Sequence, residues 1–434
     1  MSLQFITGNS GNGKTKYLFN RIVKEAKANP RDNYLVIVPE QFTMQTQRQL
    51  VDLSENKAIM NIDVLSFKRL AYRVFDELGI TNLTVLEETG KNLVLRKLAA
   101  QEADKLGVIG RNLNRIGYIS EVKSLLSELV QYNISPEELG RYIASGRLSD
   151  TLSDKLKDVL VLYEAFEKFM QDKYITAEEI LNVLSNVAEE SAILRNSVIA
   201  FDEFTGFTPI QNQLIKKLFV ISKKIYVTLT IDCREDIFKS RGMQELFDMP
   251  KRTVKSLTEM AAFYGIEVEE PIILDKNYRL AENEELSFME QQLFRKRRCS
   301  FKKVPKHIHI DCLRDPKQEL TKIARRINEL VRNENLRYRD IAIVTGDVNI
   351  YAGYVREIFD KYNIPYFIDA TQEILFHPFI EFIRSIPDIA AQNFSADAVF
   401  RFLRCGFTEL SASEIDVLEN YVLACGVRGK RAWD

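Results

Sequence analysis

Gly8-Asn9-Ser10-Gly11-Asn12-Gly13-Lys14-Thr15 fits the pattern G-x-x-x-x-G-K-[ST], and its flanks decide how it is read. Leu3 to Thr7, before it, is a short apolar strand candidate. Tyr17, Leu18, Ile22 and Val23, after it, recur at helical spacing. Strand, glycine loop and helix is the order a phosphate cradle needs, because the glycines let backbone N–H groups wrap phosphate oxygens at a helix N-terminus. In that geometry the loop from Gly8 to Gly13 surrounds the nucleotide, Lys14 neutralises β/γ-phosphate charge, and the Thr15 hydroxyl ligates Mg2+. The alternative, a glycine turn that matches by accident, requires neither flank. ATP with Mg2+ is the expected ligand, on an α/β fold.

Outward from this loop, Tyr34 to Val38 is a second buried-type strand, and Ile62 to Ser66 a third that enters a helix at Phe67, Leu70, Ala71 and Val74. From Leu86 to about Val187 the pattern is helical, with capping boxes at Ser135-Pro136-Glu137-Glu138 and Thr176-Ala177-Glu178-Glu179. Its apolar stripes read as core. A helical block is thus inserted between strands of the α/β domain. At Val198-Ile199-Ala200-Phe201-Asp202-Glu203 an apolar strand ends in two acids, the shape of a Walker B element. Asp202 is placed to hold the magnesium's water shell and Glu203 to orient an attacking water. Acids also follow buried strands simply as solvated loop ends, so this reading leans on the glycine loop. Ile225 to Ile231 is a further strand, ending at Asp232.

The second half repeats the theme. His307 to Cys312 alternates like a strand, Pro316 to Asn335 is helical, Ile341 to Val344 is a strand, Ile350 to Tyr362 a helix, and Tyr366 to Ile368 closes the unit. After Phe379 the pattern is helical. The expected domains are 1–84 and 190–294 for the P-loop domain, 85–189 for the insertion, 295–306 for a linker, and 307–378 and 379–434 for the beginning of a second α/β domain and a helical segment.

Sixty Lys plus Arg against 61 Asp plus Glu leave a net charge of -1 over 434 residues, so nucleic-acid binding has to come from local basic surface. The one such stretch is the linker, where Arg295, Lys296, Arg297, Arg298, Lys302, Lys303 and Lys306 occur with no acid among them. It reads as a phosphate-contacting footprint or, equally, as a solvated connection. The five cysteines are scattered and give neither a disulfide framework nor a zinc pattern. No run is long enough to span a membrane, and no membrane partner is expected. The amino terminus lacks a signal peptide's apolar core, so the expected compartment is the cytoplasm.

Asp202-Glu203-Phe204-Thr205-Gly206-Phe207-Thr208-Pro209-Ile210-Gln211 resembles motif II of the UvrD-like superfamily 1 helicases. Asp236 to Gly242 resembles the tail of their motif III. Leu274-Asp275-Lys276-Asn277-Tyr278-Arg279 resembles motif IV, which implies that Arg279 reaches the nucleotide phosphates. Val38-Pro39-Glu40-Gln41, Val64 to Ala71, Phe207-Thr208-Pro209, Ile364 to Asp369 and His377 to Phe382 narrow the likeness, and together they resemble the B subunits of the AddAB (RexAB) helicase-nucleases. The resemblance covers Leu3 to Trp433. It implies two RecA-like domains and a bacterial complex that resects double-strand DNA ends for recombinational repair. It also implies an AddA (RexA) motor-nuclease partner, double- and single-stranded DNA as substrates, and a part in recognising a Chi-type sequence. The strand-contacting motifs of such helicases fall at Phe42, Ser66 and Phe67. The family's 4Fe-4S cluster and nuclease carboxylates belong to a carboxy-terminal domain, and the chain reads as an amino-terminal fragment without it. Two features depart from the motor pattern. Such motors place an adenine-reading glutamine upstream of the first strand, where only seven residues precede Gly8, and the motif III glutamine has no clear counterpart around Glu235. An autonomous helicase motor and a non-hydrolysing P-loop scaffold are the competing readings.

Overall fold

The computed structural model describes residues 1–81, 84–108, 110, 117–145, 148–171, 174–295, 299–369, 374 and 376–433. The chain divides into two compact units, residues 1–308 and 309–434.

Unit 1 begins with β1 (Ser2–Gly8), α1 (Lys14–Ala28), β2 (Tyr34–Ile37), α2 (Thr43–Leu53), β3 (Ile62–Leu65) and α3 (Phe67–Leu78). A short strand β4 (Val85–Leu86) leads into α4 (Glu88–Gln101), α5 (Tyr118–Gln131), α6 (Pro136–Ala144) and α7 (Asp150–Met170). The chain then returns through β5 (Ile175–Thr176) and α8 (Ile180–Val187). The sheet resumes with β6 (Val198–Phe201), α9 (Pro209–Ile221), β7 (Lys224–Thr230), α10 (Asp248–Phe263), β8 (Glu267–Val268), β9 (Ile272–Leu274) and α11 (Glu284–Gln292).

The strands form one parallel sheet in the order β3-β2-β6-β7-β1, with β8 and β9 pairing successive halves of β1 on its far side. Side-chain alternation separates the two faces. Leu3, Phe5, Leu35, Ile37, Ile199, Phe201, Ile225 and Val227 pack with α3, α8, α9 and α10. Ile6, Tyr34, Val36, Val198, Ala200 and Tyr226 pack with α1 and α2. A parallel sheet covered on both faces needs apolar residues at every position, and β2 and β6 are buried throughout. The fold class is therefore the α/β one expected.

The helical block has its own core, in which Leu95, Val122, Leu126, Leu162 and Phe166 meet. The strand pair β4/β5 brackets it, in parallel register Val85↔Ile175. The two expected capping boxes are made differently. Ser135 Oγ accepts Glu138 N at the start of α6. Thr176 and Glu179 bond reciprocally at 2.7 and 3.2 Å, but they close a turn before α8.

Unit 2 contains α12 (Pro316–Asn333), α13 (Val348–Lys361), α14 (Pro378–Ala391), α15 (Ala396–Leu403), α16 (Ala412–Cys425) and α17 (Lys430–Trp433). Leu320, Ala324 and Ile327 of α12 pack on Ile358 and Phe359 of α13. The strands expected at His307–Cys312, Ile341–Val344 and Tyr366–Ile368 do not pair: among the described residues, unit 2 contains no strand. A ladder needs a neighbour within hydrogen-bond reach, and among the described residues none of these segments pairs with one. No helix among the described residues is long and apolar enough to cross a membrane.

Candidate nucleotide site

The register of the sheet brings the candidate residues together at its carboxy-terminal edge, where open α/β sheets bind ligands. Pairing of Phe201 with Val227 and of Ile6 with Thr228 sets Asp202 level with Thr228, two residues short of Gly8 on β1. The loop from Gly8 to Gly13 then curls over this edge into α1.

Glycine is required at three points of the loop, the first being Gly8, where a Cβ would lie 2.6 Å from the backbone oxygen of Leu274. Gly11 and Gly13 have φ of +89° and +79°, and a Cβ on Gly11 would lie 2.8 Å from both Arg279 Cβ and Asn277 Oδ1. The reason for that crowding is a strap. Tyr278 N donates to Gly11 O at 3.0 Å, Asn277 Nδ2 donates to Ser10 O at 2.9 Å, and the Tyr278 ring lies over Gly13. Asn9 is clamped at both ends of its amide, with Nδ2 donating to Glu290 Oε1 at 2.6 Å and Oδ1 accepting Cys233 N at 2.9 Å. Asn12 Nδ2 donates to Leu274 O at 2.6 Å.

Lys14 turns inward, its Nζ 3.1 and 3.0 Å from the carbonyls of Gly8 and Asn9. Burial lowers its pKa below the ordinary lysine value, while Asp202 and Glu203 pull it back up. Asp202 is 1% exposed. Its Oδ1 accepts the Thr228 hydroxyl, and its Oδ2 is buried with no partner. Burial pushes its pKa above the usual aspartate range, the Thr228 hydroxyl works against this, and Glu203 adds repulsion. Glu203 sits in the left-handed region at φ +64°, a conformation that costs a non-glycine residue about 1 kcal/mol. There its Oε1 accepts the Thr15 hydroxyl at 3.3 Å. Strain of this kind is found where a side chain must be aimed.

These groups line a cavity of about 760 Å3 together with Arg279, Lys16, Phe42, Gln45 and Gln49. Among the described residues no cluster of three acids, histidines or cysteines could hold a metal by itself. Mg2+ at this site would thus rest on Thr15, on a water-bridged Asp202 and on the nucleotide's own phosphates, as that ion commonly does. The orphaned Asp202 oxygen fits this, since a bound water would satisfy it. Sequence reasoning missed Asn277 and Tyr278, although both adjoin Arg279 in the same motif. It also missed Thr228 and Glu290, which carry no local signal.

Residues 5–290 match the protein family described as ADDB, N-terminal. The chain belongs to this family. The B subunit of the ATP-dependent helicase/deoxyribonuclease of Lachnoclostridium phytofermentans is 39% identical over 439 residues, covering 100% of this chain and 38% of that protein. The proteins of the same name from Clostridium tetani and Clostridium acetobutylicum are each 34% identical, over 99% and 100% of this chain and 38% and 37% of theirs. The chain spans a little over a third of the length of these curated relatives.

In this ADDB amino-terminal region the residues expected to touch DNA are dispersed. Phe42 lines the nucleotide cavity. Ser66 is buried, and its hydroxyl caps α3 by accepting Arg69 N. Phe67 is packed among Phe201, Phe204 and Phe207 at centroid distances of 5.6 to 6.3 Å, so in this structure its ring serves the core and is not offered for stacking. Beside them, Glu40, Lys68, Phe204 and Gln211 line a groove of about 320 Å3.

The basic run divides. Lys296, Arg297 and Arg298 lie outside the described residues, Lys302 is exposed, and Lys303 pairs with Glu284. Arg295 is a correction to the footprint reading. Its Nη2 lies 2.8 Å from Asp232 Oδ2 and its guanidinium rests on the Phe247 ring, so it works as a partly buried clasp within unit 1. Burial pushes the Asp232 carboxyl up, but the Arg234 side chain and backbone, with Arg295, outweigh it and hold it at about 2. A depressed carboxylate stabilises the fold above its ordinary pKa and loses that contribution as pH falls through the folded value. Stability of unit 1 is therefore expected to drop by about 2 kcal/mol between pH 4 and pH 2 through this group. Denaturant melts across that range should show a shallower loss in Asp232→Asn, and an unchanged profile would remove Asp232 from the account.

Proposed function

We propose that this chain is the ATP–Mg2+-binding, helicase-like part of the B subunit of a cytoplasmic bacterial helicase-nuclease that resects double-strand DNA breaks for recombinational repair. The observation that carries the proposal is the convergence of the intact glycine loop, Lys14, Thr15 and Glu203 around the buried, half-satisfied Asp202. In this reading Gly8 to Gly13 wrap the phosphates, Lys14 and Arg279 face the β/γ charge, Thr15 and Asp202 hold the magnesium shell, and Glu203 orients water. Magnesium would neutralise charge on the transferring phosphate. The names of the relatives support the assignment to the B subunit of a helicase/deoxyribonuclease. A motor-nuclease A subunit is the proposed partner, and the 4Fe-4S cluster belongs to the carboxy-terminal domain of such proteins.

DNA would be held by exposed basic side chains and by the groove beside Ser66, where Gln211, Glu40 and Lys68 offer donors and acceptors for reading base edges of a Chi-type sequence. The central test is calorimetric titration of the chain with ATP–Mg2+, and absence of binding sinks the proposal. Turnover should be slow, since a missing arginine finger alone costs about 10³–10⁵ in rate and Arg279 is the one arginine lining the cavity among the described residues. Steady-state hydrolysis at motor-like rates, abolished by Glu203→Gln, would favour the autonomous-helicase reading instead.

Lys302 and Lys303 give a separate expectation. Replacing both with Ala should weaken binding to all DNA sequences alike, because phosphate contacts carry no base information. The salt dependence on duplex should flatten by up to about 0.9 per lost contact. Affinities at several salt concentrations on unrelated oligonucleotides measure this, and an unchanged slope assigns the run to a solvated linker.

A further inference from the structure

Helix α11 is fastened on two sides. Near its end Glu290 Oε1 accepts Asn9 Nδ2 at 2.6 Å, the amide whose Oδ1 accepts Cys233 N. One residue on, Gln291 O accepts Arg234 Nη2 at 3.2 Å. In the first turn the Glu285 carboxylate accepts two backbone donors, Lys306 N at 2.7 Å and His307 N at 2.8 Å. The Phe288 ring packs on Phe301 at a centroid distance of 5.3 Å. At about 100° per residue, Phe288 and Glu290 leave the helix on nearly opposite sides. α11 is thus a spacer between the glycine loop and residues 301–307, after which the chain leaves unit 1. Asn9 and Glu285 are both buried, so neither contact can open without leaving a polar group unsatisfied.

A phosphate cradle binds best when its N–H groups are held in place before the ligand arrives. Asn9 is the second residue of the loop, and its carbonyl also accepts the Lys14 ammonium. Fixing the Asn9 side chain on Glu290 removes freedom that the loop would otherwise lose on binding. An occupied loop and a docked α11 therefore favour one another.

We propose that α11 links nucleotide occupancy of the glycine loop to the docking of residues 301–307, with Glu290 and Glu285 as the positioning residues on its two sides. The inference rests on the reading of Gly8 to Thr15 as a nucleotide cradle. Nucleotide tightens the segment that carries Lys302, Lys303 and Lys306, and its departure loosens it. Linkage is reciprocal, so whatever frees residues 306 and 307 also weakens nucleotide binding.

Two measurements on the 434-residue chain test the link. In the unaltered protein, exchange of the Lys306 and His307 amides should slow by about 5-fold or more when ATP–Mg2+ saturates the loop. In calorimetry, Glu285→Ala should weaken ATP–Mg2+ by about 5-fold or more, although Glu285 lies outside the nucleotide cavity. Glu284→Ala, at the exposed position before it, should leave the affinity unchanged. Glu290→Ala should weaken binding as well, and Glu290→Gln, which keeps an acceptor for Asn9, should restore most of it. In the Glu290→Ala background Glu285→Ala should add no further loss, which separates a link through the helix from two independent effects. Amides of β1 and β7 report in each variant that the sheet stays folded. ATP–Mg2+ binding with unchanged exchange at 306 and 307, or additive losses in the double variant, overturns the link and leaves the nucleotide reading standing. Absence of ATP–Mg2+ binding overturns both.

Discussion

Lys14→Ala is expected to weaken ATP–Mg2+ binding by about 2–5 kcal/mol, the loss that follows removal of one partner from a desolvated charge contact. The starting geometry explains the size. In the free protein the Lys14 ammonium is already partly desolvated, held by two backbone carbonyls and by the field of Asp202 and Glu203. Phosphate charge entering the loop therefore meets a cation with little hydration left to shed, and the truncated side chain leaves that charge uncompensated. Isothermal titration of wild type and variant measures the difference. Melting of the free proteins shows whether losing the contacts to Gly8 and Asn9 disturbs the loop. Equal affinities with equal folding would place the phosphates elsewhere.

Asp202→Asn should separate stability from ligand binding. A carboxyl with a raised folded pKa holds its proton more tightly in the native state, so stability falls as pH rises from the ordinary aspartate range through the raised value. Above that value the free protein bears a buried charge with one oxygen unpartnered. Asparagine keeps an acceptor for Thr228 and removes the charge. The free variant should thus be more stable by about 1–3 kcal/mol above that value and insensitive to pH across the window where the wild type weakens. The same variant should lose the magnesium-dependent part of nucleotide affinity. Parallel pH profiles for the two proteins, or a less stable variant, would refute the assignment.

What could be read from the sequence was local. The strand, loop and helix around Gly8 to Thr15 are contiguous, and the two acids after Phe201 end a strand that is buried on both faces. Helices α12 and α13 came within two residues of their expected bounds because apolar spacing and an Asp or Pro start mark them. What escaped was set by distance along the chain. The pairing of β8 and β9 with β1, two and three residues long, leaves no periodic signal. Glu290 reaches Asn9 across more than 280 residues, and Arg295 looks like one of seven solvated cations until Asp232 is folded beside it. In unit 2 the segments expected as strands form no ladder among the described residues, because composition says nothing about whether a partner lies within reach.

The strand order also bears on synthesis. Ser2 pairs with Lys224, so β1 meets its neighbour only after some 220 further residues have been made. At roughly 5–20 residues per second that is a wait of about 10–45 s, during which Leu3, Phe5 and Ile6, all fully buried at the end, stand open to solvent and to chaperones. Until β6 is made, only β2 and β3 of this sheet can pair, and two short strands alone are marginal in water. A ribosome that stops anywhere before Thr230 therefore releases a chain whose first strand has no complete partner in the sheet, and whose glycine loop hangs from nothing fixed.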